Sequence, residues 1–329
     1  MKIHPSIVKA ARTGWNWEWN QLMNGLAPCD SEGNYIRPKS KNRKLYEPCI
    51  ENLEKRSKEN LPTLIIGKSC PWAHRTWLVY KIKKLENKIN LIIVNVNRNE
   101  GLWKFQNNYL GCSSLYELYK LCGESPSLRA TVPTLIDPIS NYKENKPRII
   151  GNESSQLVKI LNRWPNKENK INLEPKESIN EIEKLTNVLQ ENINNGVYKC
   201  GFARNQSAYN DSSNKLFNTI SNIEDILKGK GPWLCGEKMT LADIYLFPTL
   251  IRWEMVYSPL FRCTKIPLWK FPKIWEWRRN FLKVHKVSDT CDSEAWRDDY
   301  FGALFPLQPS NIVPSGPILK ELVDSSPPN

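Results

Sequence analysis

The segment Ser69-Cys70-Pro71-Trp72-Ala73-His74-Arg75 places a cysteine between an apolar run and the start of a helical pattern. Residues 61–67 predict a short buried strand, and the spacing of apolar residues over 73–84 predicts a helix. Pro71 suits the first helical position, because its missing N–H would have no partner there. Cys70 therefore falls at the N-cap, where unpaired amides and the helix dipole favour the thiolate, and we expect a lowered thiol pKa.

Cys70 is the candidate reactive group of this sequence. An isolated cysteine is more often a small buried apolar residue than a nucleophile, but its place between strand and helix favours a reactive thiol. Because position 73 is alanine, there is no Cys-x-x-Cys pair, and a dithiol exchange confined to this loop is excluded. Thiol chemistry at Cys70 needs a second thiol from elsewhere, and a small-molecule thiol such as glutathione is the obvious supplier.

The order of predicted elements over 61–164 indicates the fold of the first domain. A strand, a helix and a second strand at 90–97 are followed, after a long connection, by a helix at 115–122. Strands are then predicted at 131–137 and 147–150, before a helix at 153–162. A βαβ unit followed by a β-hairpin and a terminal helix is the thioredoxin-like arrangement.

Residues 176–317 predict a second, all-helical domain, so that the fold class is α/β plus all-α. Apolar residues repeat with helical spacing over 179–189, and a further helix is predicted over 213–227. Thr240-Leu-Ala-Asp243 has the form of a capping box, with Asp replacing the usual Glu, and introduces an apolar, buried helix over 244–257.

The two ends of the chain carry no clear domain pattern. Residues 1–60 are polar, with a basic run at 37–44, and are interpreted as an N-terminal extension that lies over the folded body. Residues 318–329 are interpreted as an irregular Pro-rich tail.

Composition narrows the function classes. The chain has 329 residues and a formal net charge of +13, but its lysines are scattered rather than clustered with aromatic residues, so we expect no nucleic-acid partner. No apolar run approaches the length of a membrane span and no secretory signal is recognisable, so a cytoplasmic protein without membrane contact is expected. Nine single cysteines and three histidines show no zinc-like spacing, so we expect no metal.

Several segments resemble one known family. A thioredoxin-like domain joined to a helical domain is the glutathione transferase architecture, and Cys-Pro-Trp-Ala-His-Arg-Thr at 70–76 is similar to its glutathionyl-hydroquinone reductase branch, the Xi class. The similarity continues in order and approximate spacing, covering roughly 61–317, through the following segments: Leu115–Tyr119, Thr131–Leu135, Asn152–Ser155, Asn195–Ala203 and Leu250–Tyr257.

The resemblance implies a glutathione subsite in the first domain. A cis peptide before Pro133 would turn the Val132 backbone towards an extended thiol peptide; from the residues alone, cis bond and ordinary loop proline are about equally favoured. Ser154 and the amides at a helix start can hold a carboxylate while Glu153 accepts from an ammonium, although a simple helix cap is the usual reading of such residues. The resemblance further implies that Trp103 covers glutathione with its ring and that Arg129 pairs with a carboxylate.

The resemblance also implies an aromatic subsite in the second domain. Tyr198, Tyr257 and Tyr300 match family tyrosines that face the active cysteine, and phenolic hydroxyls beside apolar ring faces suit a hydroquinone. Aromatic residues in a helical domain are more commonly core residues. Phe301 stands where the family commonly has a second tyrosine, and 305–309 is less polar than in the family, so the shape of the aromatic substrate stays open.

The activity implied is glutathione-dependent reduction of glutathionyl-hydroquinones through a mixed disulfide between Cys70 and glutathione. The partners are glutathione and an aromatic glutathionyl conjugate, and the family implies a homodimer. An omega-like glutathione transferase, acting as a thiol transferase or dehydroascorbate reductase, would use the same cysteine and the same glutathione subsite. A non-catalytic binding module of this fold is a weaker alternative, because Cys70 is present.

Overall fold

The computed structural model describes residues 3–38, 56–98, 100–125, 129–139, 146–166, 169–304 and 306–324. Within them, six strands form one sheet in the order β4-β3-β2-β1-β5-β6. The strands are β1 (Thr63–Gly67), β2 (Asn90–Asn97), β3 (Leu102–Tyr109), β4 (Cys112–Ser114), β5 (Thr134–Asp137) and β6 (Arg148–Gly151). Only β1 and β2 run parallel, and every other neighbouring pair is antiparallel. This is the thioredoxin-like sheet expected from the sequence, with an extra hairpin at one edge.

The hairpin of β3 and β4 lies where the sequence predicts only a long connection. Tyr109 pairs with Cys112 across a two-residue turn, and both turn residues, Leu110 and Gly111, have positive φ. Such turns match the twist of antiparallel strands and favour glycine. The strand signal is weak because β3 carries three consecutive polar residues at 106–108, which are exposed, as expected at the outer part of the sheet.

The first βαβ unit forms as the sequence predicts. All five residues of β1 are buried, because this central strand is covered on both faces. The helix that follows, α2 (Pro71–Ile82), begins with Cys70 at the N-cap and Pro71 at the first helical position. Helix α3 (Leu115–Leu121) follows β4, and α4 (Ser154–Arg163) follows β6. Helix α2 packs against α4 on one side and the helical half of the chain on the other.

Helices make up the second half of the chain. They are α5 (Ile179–Val188), α6 (Gly196–Phe202), α7 (Gln206–Lys230), α8 (Leu241–Leu250), α9 (Ser258–Phe261), α10 (Pro272–Leu282), α11 (Ser293–Ala303) and α12 (Leu319–Asp324), with π-helical turns at Leu189–Asn194 and Trp253–Tyr257. The capping box is present, because Thr240 and Asp243 bond each other's backbone amides at the start of α8. The single helix expected over 244–257 is instead α8 followed by a π-helical turn. No helix in the described part of the chain is long and apolar enough to cross a membrane.

The N-terminal segment contains a helix that the sequence analysis does not assign. Helix α1 (Pro5–Leu26) buries only Met23 among its residues, so little of its surface packs against the rest of the protein. Trp19 donates to the carbonyl of Pro306, which ties the helix to the C-terminal part of the chain. Helix α12 also falls in the segment for which we expected an irregular tail. Most of the predicted basic run (39–44), Phe305 and 325–329 lie outside the described residues.

Candidate functional site

Cys70 lies half-buried at the junction of β1 and α2. Its backbone is extended (φ −75°, ψ 116°), as an N-cap requires, and its carbonyl accepts from the His74 amide at 2.9 Å. The peptide bond between Val132 and Pro133 is cis, as the resemblance implied. The Cys70 thiol donates to the Val132 carbonyl over 3.6 Å between Sγ and O. The cysteine and the strand edge proposed to hold glutathione are therefore neighbours.

The expectation of a lowered pKa for the Cys70 thiol is wrong. Burial raises the pKa of this thiol and outweighs the lowering by the amides of Ala73 and Trp72 and by the guanidinium groups of Arg252 and Arg37. The amides at the helix start lower the thiol pKa as predicted, but the desolvation caused by tertiary packing raises it by more. The structure thus holds Cys70 as a thiol beside several groups that stabilise the thiolate.

Alkylation of Cys70 by iodoacetamide tests this protonation state. A raised pKa leaves only a small thiolate fraction at neutral pH, so the rate will rise about tenfold per pH unit between about pH 7 and pH 9 without levelling off. Peptide mass spectrometry at each pH measures the rate at Cys70 separately from the other cysteines, with the Cys70→Ser variant as the blank. A rate that is already constant at neutral pH would contradict the raised pKa.

Four of the residues expected to bind glutathione lie in the loop before β5 and at the start of α4. Val132 and Ser154 are buried, Glu153 is half-buried at the N-cap of α4, and Arg129 is exposed. Ser154 is the first residue of α4, so the unpaired amides of that helix start face the same region. Asn152 donates to the Tyr119 hydroxyl at 3.3 Å, which ties the start of α4 to the Val132 loop, because Tyr119 donates to the Thr131 carbonyl at 3.0 Å.

Trp103 lies on β3 against the end of β1. A Cβ atom on Gly67 would approach the Trp103 ring to 2.4 Å, so the indole rests directly on the glycine backbone, three residues before Cys70. Only a glycine permits this contact. The predicted glutathione residue Trp103 is thus placed at the edge of the junction by the hairpin that the sequence analysis did not assign.

The three predicted tyrosines meet in one cluster. The Tyr198 and Tyr300 hydroxyl oxygens are 2.5 Å apart, and those of Tyr257 and Tyr300 are 3.3 Å apart. Burial raises the pKa of all three phenols, and a charge on Cys70 further raises the pKa of Tyr198 and Tyr257. The hydroxyls are therefore protonated and can donate to a ligand, and Tyr198 and Tyr257 are near enough to Cys70 to respond to its charge.

Two π-helical turns help to place these hydroxyls. Leu189–Asn194 directly precedes the helix that carries Tyr198, and Trp253–Tyr257 carries Tyr257 itself. A π-helical turn rotates the following side chains away from the α-helical register. Thr249 donates to Asn194 at 2.5 Å, which links the first of these turns to α8. Helical periodicity alone does not reveal this rotation.

Arg252 is a site residue that the sequence analysis did not find. It is fully buried, its guanidinium donates to the Lys68 carbonyl at 3.2 Å and to His74 Nδ1 at 2.7 Å, and it stacks on Trp296. Because a guanidinium only donates, His74 Nδ1 accepts, and its Nε2–H donates to Thr290 at 2.8 Å. Burial lowers the pKa of His74 well below its usual value, so this histidine is neutral. The positive charge of Arg252 also acts on Cys70, where it favours the thiolate.

Comparison with known proteins agrees with this geometry. Residues 206–280 match the family model described as glutathione S-transferase, C-terminal domain. The chain is 32% identical to the glutathionyl-hydroquinone reductase PcpF of Sphingobium chlorophenolicum, over 77% of this chain and 82% of that protein. It is similar to the Xi glutathione S-transferase of Phanerochaete chrysosporium (28% identity, TM-score 0.76, 88% of this chain and 94% of that chain). It is also similar to glutathione-bound YqjG of Escherichia coli (29% identity, TM-score 0.72, 80% and 87%).

A thioredoxin-like sheet joined to this helical half, with a half-buried cysteine at the start of the first sheet helix, defines a glutathione transferase. The chain belongs to the glutathionyl-hydroquinone reductase family, the Xi class of glutathione transferases. It is accordingly a glutathione-dependent enzyme.

Proposed function

We propose that this enzyme reduces glutathionyl-hydroquinones to hydroquinones and uses Cys70 as its nucleophile. The observation that supports the proposal best is the cluster of three protonated tyrosine hydroxyls, two of which respond to the charge of Cys70. A sulfur nucleophile beside several phenolic donors suits a substrate in which sulfur is bonded to a ring that carries two oxygens.

The first half-reaction transfers glutathione to the enzyme. The Cys70 thiolate attacks the glutathione sulfur, so that an S–S bond forms and the bond between sulfur and the ring carbon breaks. The electron pair of the broken bond goes to the ring, which is reduced by two electrons and takes up one proton at that carbon. Tyr198, Tyr257 and Tyr300 donate to the ring oxygens and supply or relay this proton. The positive charge of Arg252 stabilises the attacking thiolate.

The second half-reaction regenerates Cys70. The thiolate of a second glutathione attacks the glutathione sulfur of the mixed disulfide, and Cys70 leaves as a thiolate. The product is glutathione disulfide. Over the whole cycle, the two electrons that reduced the ring come from the two glutathione sulfurs, one from the conjugate and one from the second glutathione, and Cys70 returns to its starting state.

The glutathione subsite is proposed to use both backbone and side chains. The Val132 backbone pairs with the peptide, and Ser154 and the amides of the α4 start hold the γ-glutamyl carboxylate. Glu153 accepts from the ammonium group, Arg129 pairs with the other carboxylate, and the Trp103 ring covers the peptide. Glutathione acts here as a co-substrate, and the scheme uses no metal.

Mass spectrometry after exposure to a glutathionyl-hydroquinone, without added glutathione, tests the first half-reaction. We expect one glutathione adduct on Cys70 and release of one hydroquinone per enzyme. An unmodified Cys70 that is still glutathionylated by glutathione disulfide would reject the proposal in favour of an omega-like thiol transferase. A strong preference in turnover for a small mixed disulfide over the hydroquinone conjugate would point the same way.

Replacing Tyr300 with phenylalanine separates the tyrosine cluster from the thiol chemistry. Tyr300 contacts both other hydroxyls, so its removal will slow hydroquinone release about 100-fold in a single turnover. Glutathionylation of Cys70 by glutathione disulfide needs no proton donor to a ring, and its rate will stay within about twofold of the wild type. Tyr209→Phe, which removes an exposed hydroxyl bonded to the Arg262 carbonyl, is the control. Equal slowing of both reactions by Tyr300→Phe would contradict the assigned role.

Three further features stay predictions. We propose a homodimer, which light scattering after gel filtration would detect, and a cytoplasmic location, which imaging of the tagged full chain would test. We also propose domain boundaries at 61–164 and 176–317, with 1–60 as an extension and 318–329 as a tail. Limited proteolysis with identification of the resistant fragments would test these boundaries.

A further inference from the structure

The part of the N-terminal segment at 28–37 places the Arg37 guanidinium on the Trp72 ring, where its charge reaches Cys70. We infer that Arg37 determines specificity: it binds an anionic group on the aromatic ring of the conjugate, such as a ring carboxylate. The inference rests on the proposed function, because it assigns the second substrate of that same site.

The segment is fixed to the helical half by its own hydrogen bonds. Cys29 and Tyr35 form an isolated β-bridge, and Asp30 accepts from the Asn34 amide at 2.8 Å inside the turn. The Gly33 carbonyl accepts from the Arg204 amide at 3.0 Å, and Asn205 donates to the Glu32 carbonyl at 2.8 Å. The backbone before Arg37 therefore has a defined position rather than that of a free strand end.

Aromatic contacts continue this attachment to the site. Tyr35 packs edge-on against Phe202, with ring centroids 5.2 Å apart, and Phe202 in turn contacts Tyr198 at 6.1 Å. The Arg37 guanidinium lies 3.9 Å from the ring centroid of Trp72, the second residue after Cys70. Trp72 is stacked with Tyr198 at 6.3 Å. Arg37 is thus on the tyrosine side of the cysteine, where the aromatic part of the conjugate is proposed to bind.

Two positively charged groups, Arg37 and Arg75, lie on the Trp72 ring. Arg75 also lies on the Trp72 ring, at 4.6 Å, and the positive charge of Arg37 contributes to lowering the pKa of Arg75, although burial is the larger cause. Within the described part of the chain, no carboxylate forms an ion pair with Arg37. Two guanidinium groups on one indole, without an acidic partner among the described residues, favour the arrival of an anion.

The carboxylates of glutathione are not the anionic group that Arg37 is inferred to bind. The two carboxylates are assigned in the proposed function to the start of α4 and to Arg129. The remaining ligand at the site is the hydroquinone, so the anion belongs on its ring. A guanidinium that stacks on Trp72 keeps its outer N–H groups free to bind a planar carboxylate with two parallel hydrogen bonds.

Steady-state kinetics with a matched pair of conjugates test the inference. The probes are glutathionyl-hydroquinone and glutathionyl-2,5-dihydroxybenzoate, which adds one ring carboxylate. We expect the wild type to favour the carboxylated conjugate by about tenfold in kcat/KM. In Arg37→Gln the kcat/KM values for the two conjugates will be about equal, and Arg37→Lys will retain part of the preference. Raised ionic strength will reduce the preference in the wild type, because the contact is partly exposed.

The control variant is Arg12→Gln, which removes the same charge from the exposed surface of α1 and will keep the tenfold preference. Gly33→Ala is a second test, since an added Cβ would lie 2.5 Å from Asn205 at a positive φ of 84°. This change displaces the segment and will reduce the preference although Arg37 is present. A wild type without a preference, or an Arg37→Gln variant that keeps it, overturns the inference.

Binding measurements keep this test separate from the proposed reaction. If the wild type turns over neither conjugate, the proposed function fails. Calorimetric titration with 2,5-dihydroxybenzoate and with hydroquinone then tests Arg37 alone. A tenfold tighter Kd for the carboxylated compound that is lost in Arg37→Gln supports the inference, and equal Kd values for the two compounds overturn it.

Discussion

Replacement of Cys70 with serine will lower kcat/KM for a glutathionyl-hydroquinone by about 10³-fold or more, because the reaction loses the atom that forms the mixed disulfide. A serine hydroxyl has nearly the same size, but it does not accept the glutathione sulfur at neutral pH. The start of α2 does not depend on the sulfur, so the variant will unfold at a temperature close to that of the wild type. Turnover assays and mass spectrometry of the adduct measure the loss.

Cys235→Ser is the matched control for this prediction. Cys235 is also a half-buried free thiol, but it lies before the cap of α8, away from the Cys70 junction. Its replacement will leave kcat/KM within about twofold of the wild type. Turnover in Cys70→Ser at more than a tenth of the wild-type rate would exclude Cys70 as the nucleophile.

Replacement of Asp243 with alanine will produce a large loss of stability, about 3–5 kcal/mol in the free energy of unfolding. This fully buried carboxylate accepts from the Thr240 amide at 2.9 Å and the Leu234 amide at 3.0 Å. It also accepts from the Trp277 indole at 2.9 Å. The variant leaves these donors buried without their acceptor and removes the capping box of α8. Denaturant unfolding followed by circular dichroism measures the change.

Asp225→Ala is the control for the stability measurement. Asp225 lies on α7 with its side chain 74% exposed and pairs only at the surface with Lys228. Its replacement will change the free energy of unfolding by less than about 1 kcal/mol. A loss below about 1 kcal/mol in Asp243→Ala would show that the core can satisfy these donors in another way.

The central part of the fold follows from local sequence signals. The apolar run before Cys70, the proline after it and the helical spacing beyond it each favour the same strand–turn–helix unit, and the structure has it. The capping box at Thr240 and Asp243 is equally local, because its two partners are three residues apart. Signals of this kind need no knowledge of the rest of the chain.

Elements stabilised by distant contacts were not predictable in this way. Helix α1 buries a single residue of its own and is attached through Trp19 to the carbonyl of Pro306. Strand β3 has a weak pattern of its own and is fixed by pairing with β2 and by the contact of Trp103 with Gly67. Arg37 lies in the basic run and Arg252 in the family segment 250–257, but neither was assigned a role, because their relation to Cys70 exists only after the N-terminal segment and the helical half have packed around it.

The sequence by itself determined the order of strands and helices around Cys70, the cap of α8 and the family resemblance, because these depend on residues close together in the chain. Only the tertiary structure decided the protonation of Cys70, since burial by distant segments outweighs the local effect of the helix start on the thiol pKa. It also decided that hydroxyls from three separate helical segments meet in one cluster, in which Tyr198 and Tyr257 respond to the charge of that thiol. Local patterns specify elements, whereas desolvation and side-chain convergence depend on how those elements pack.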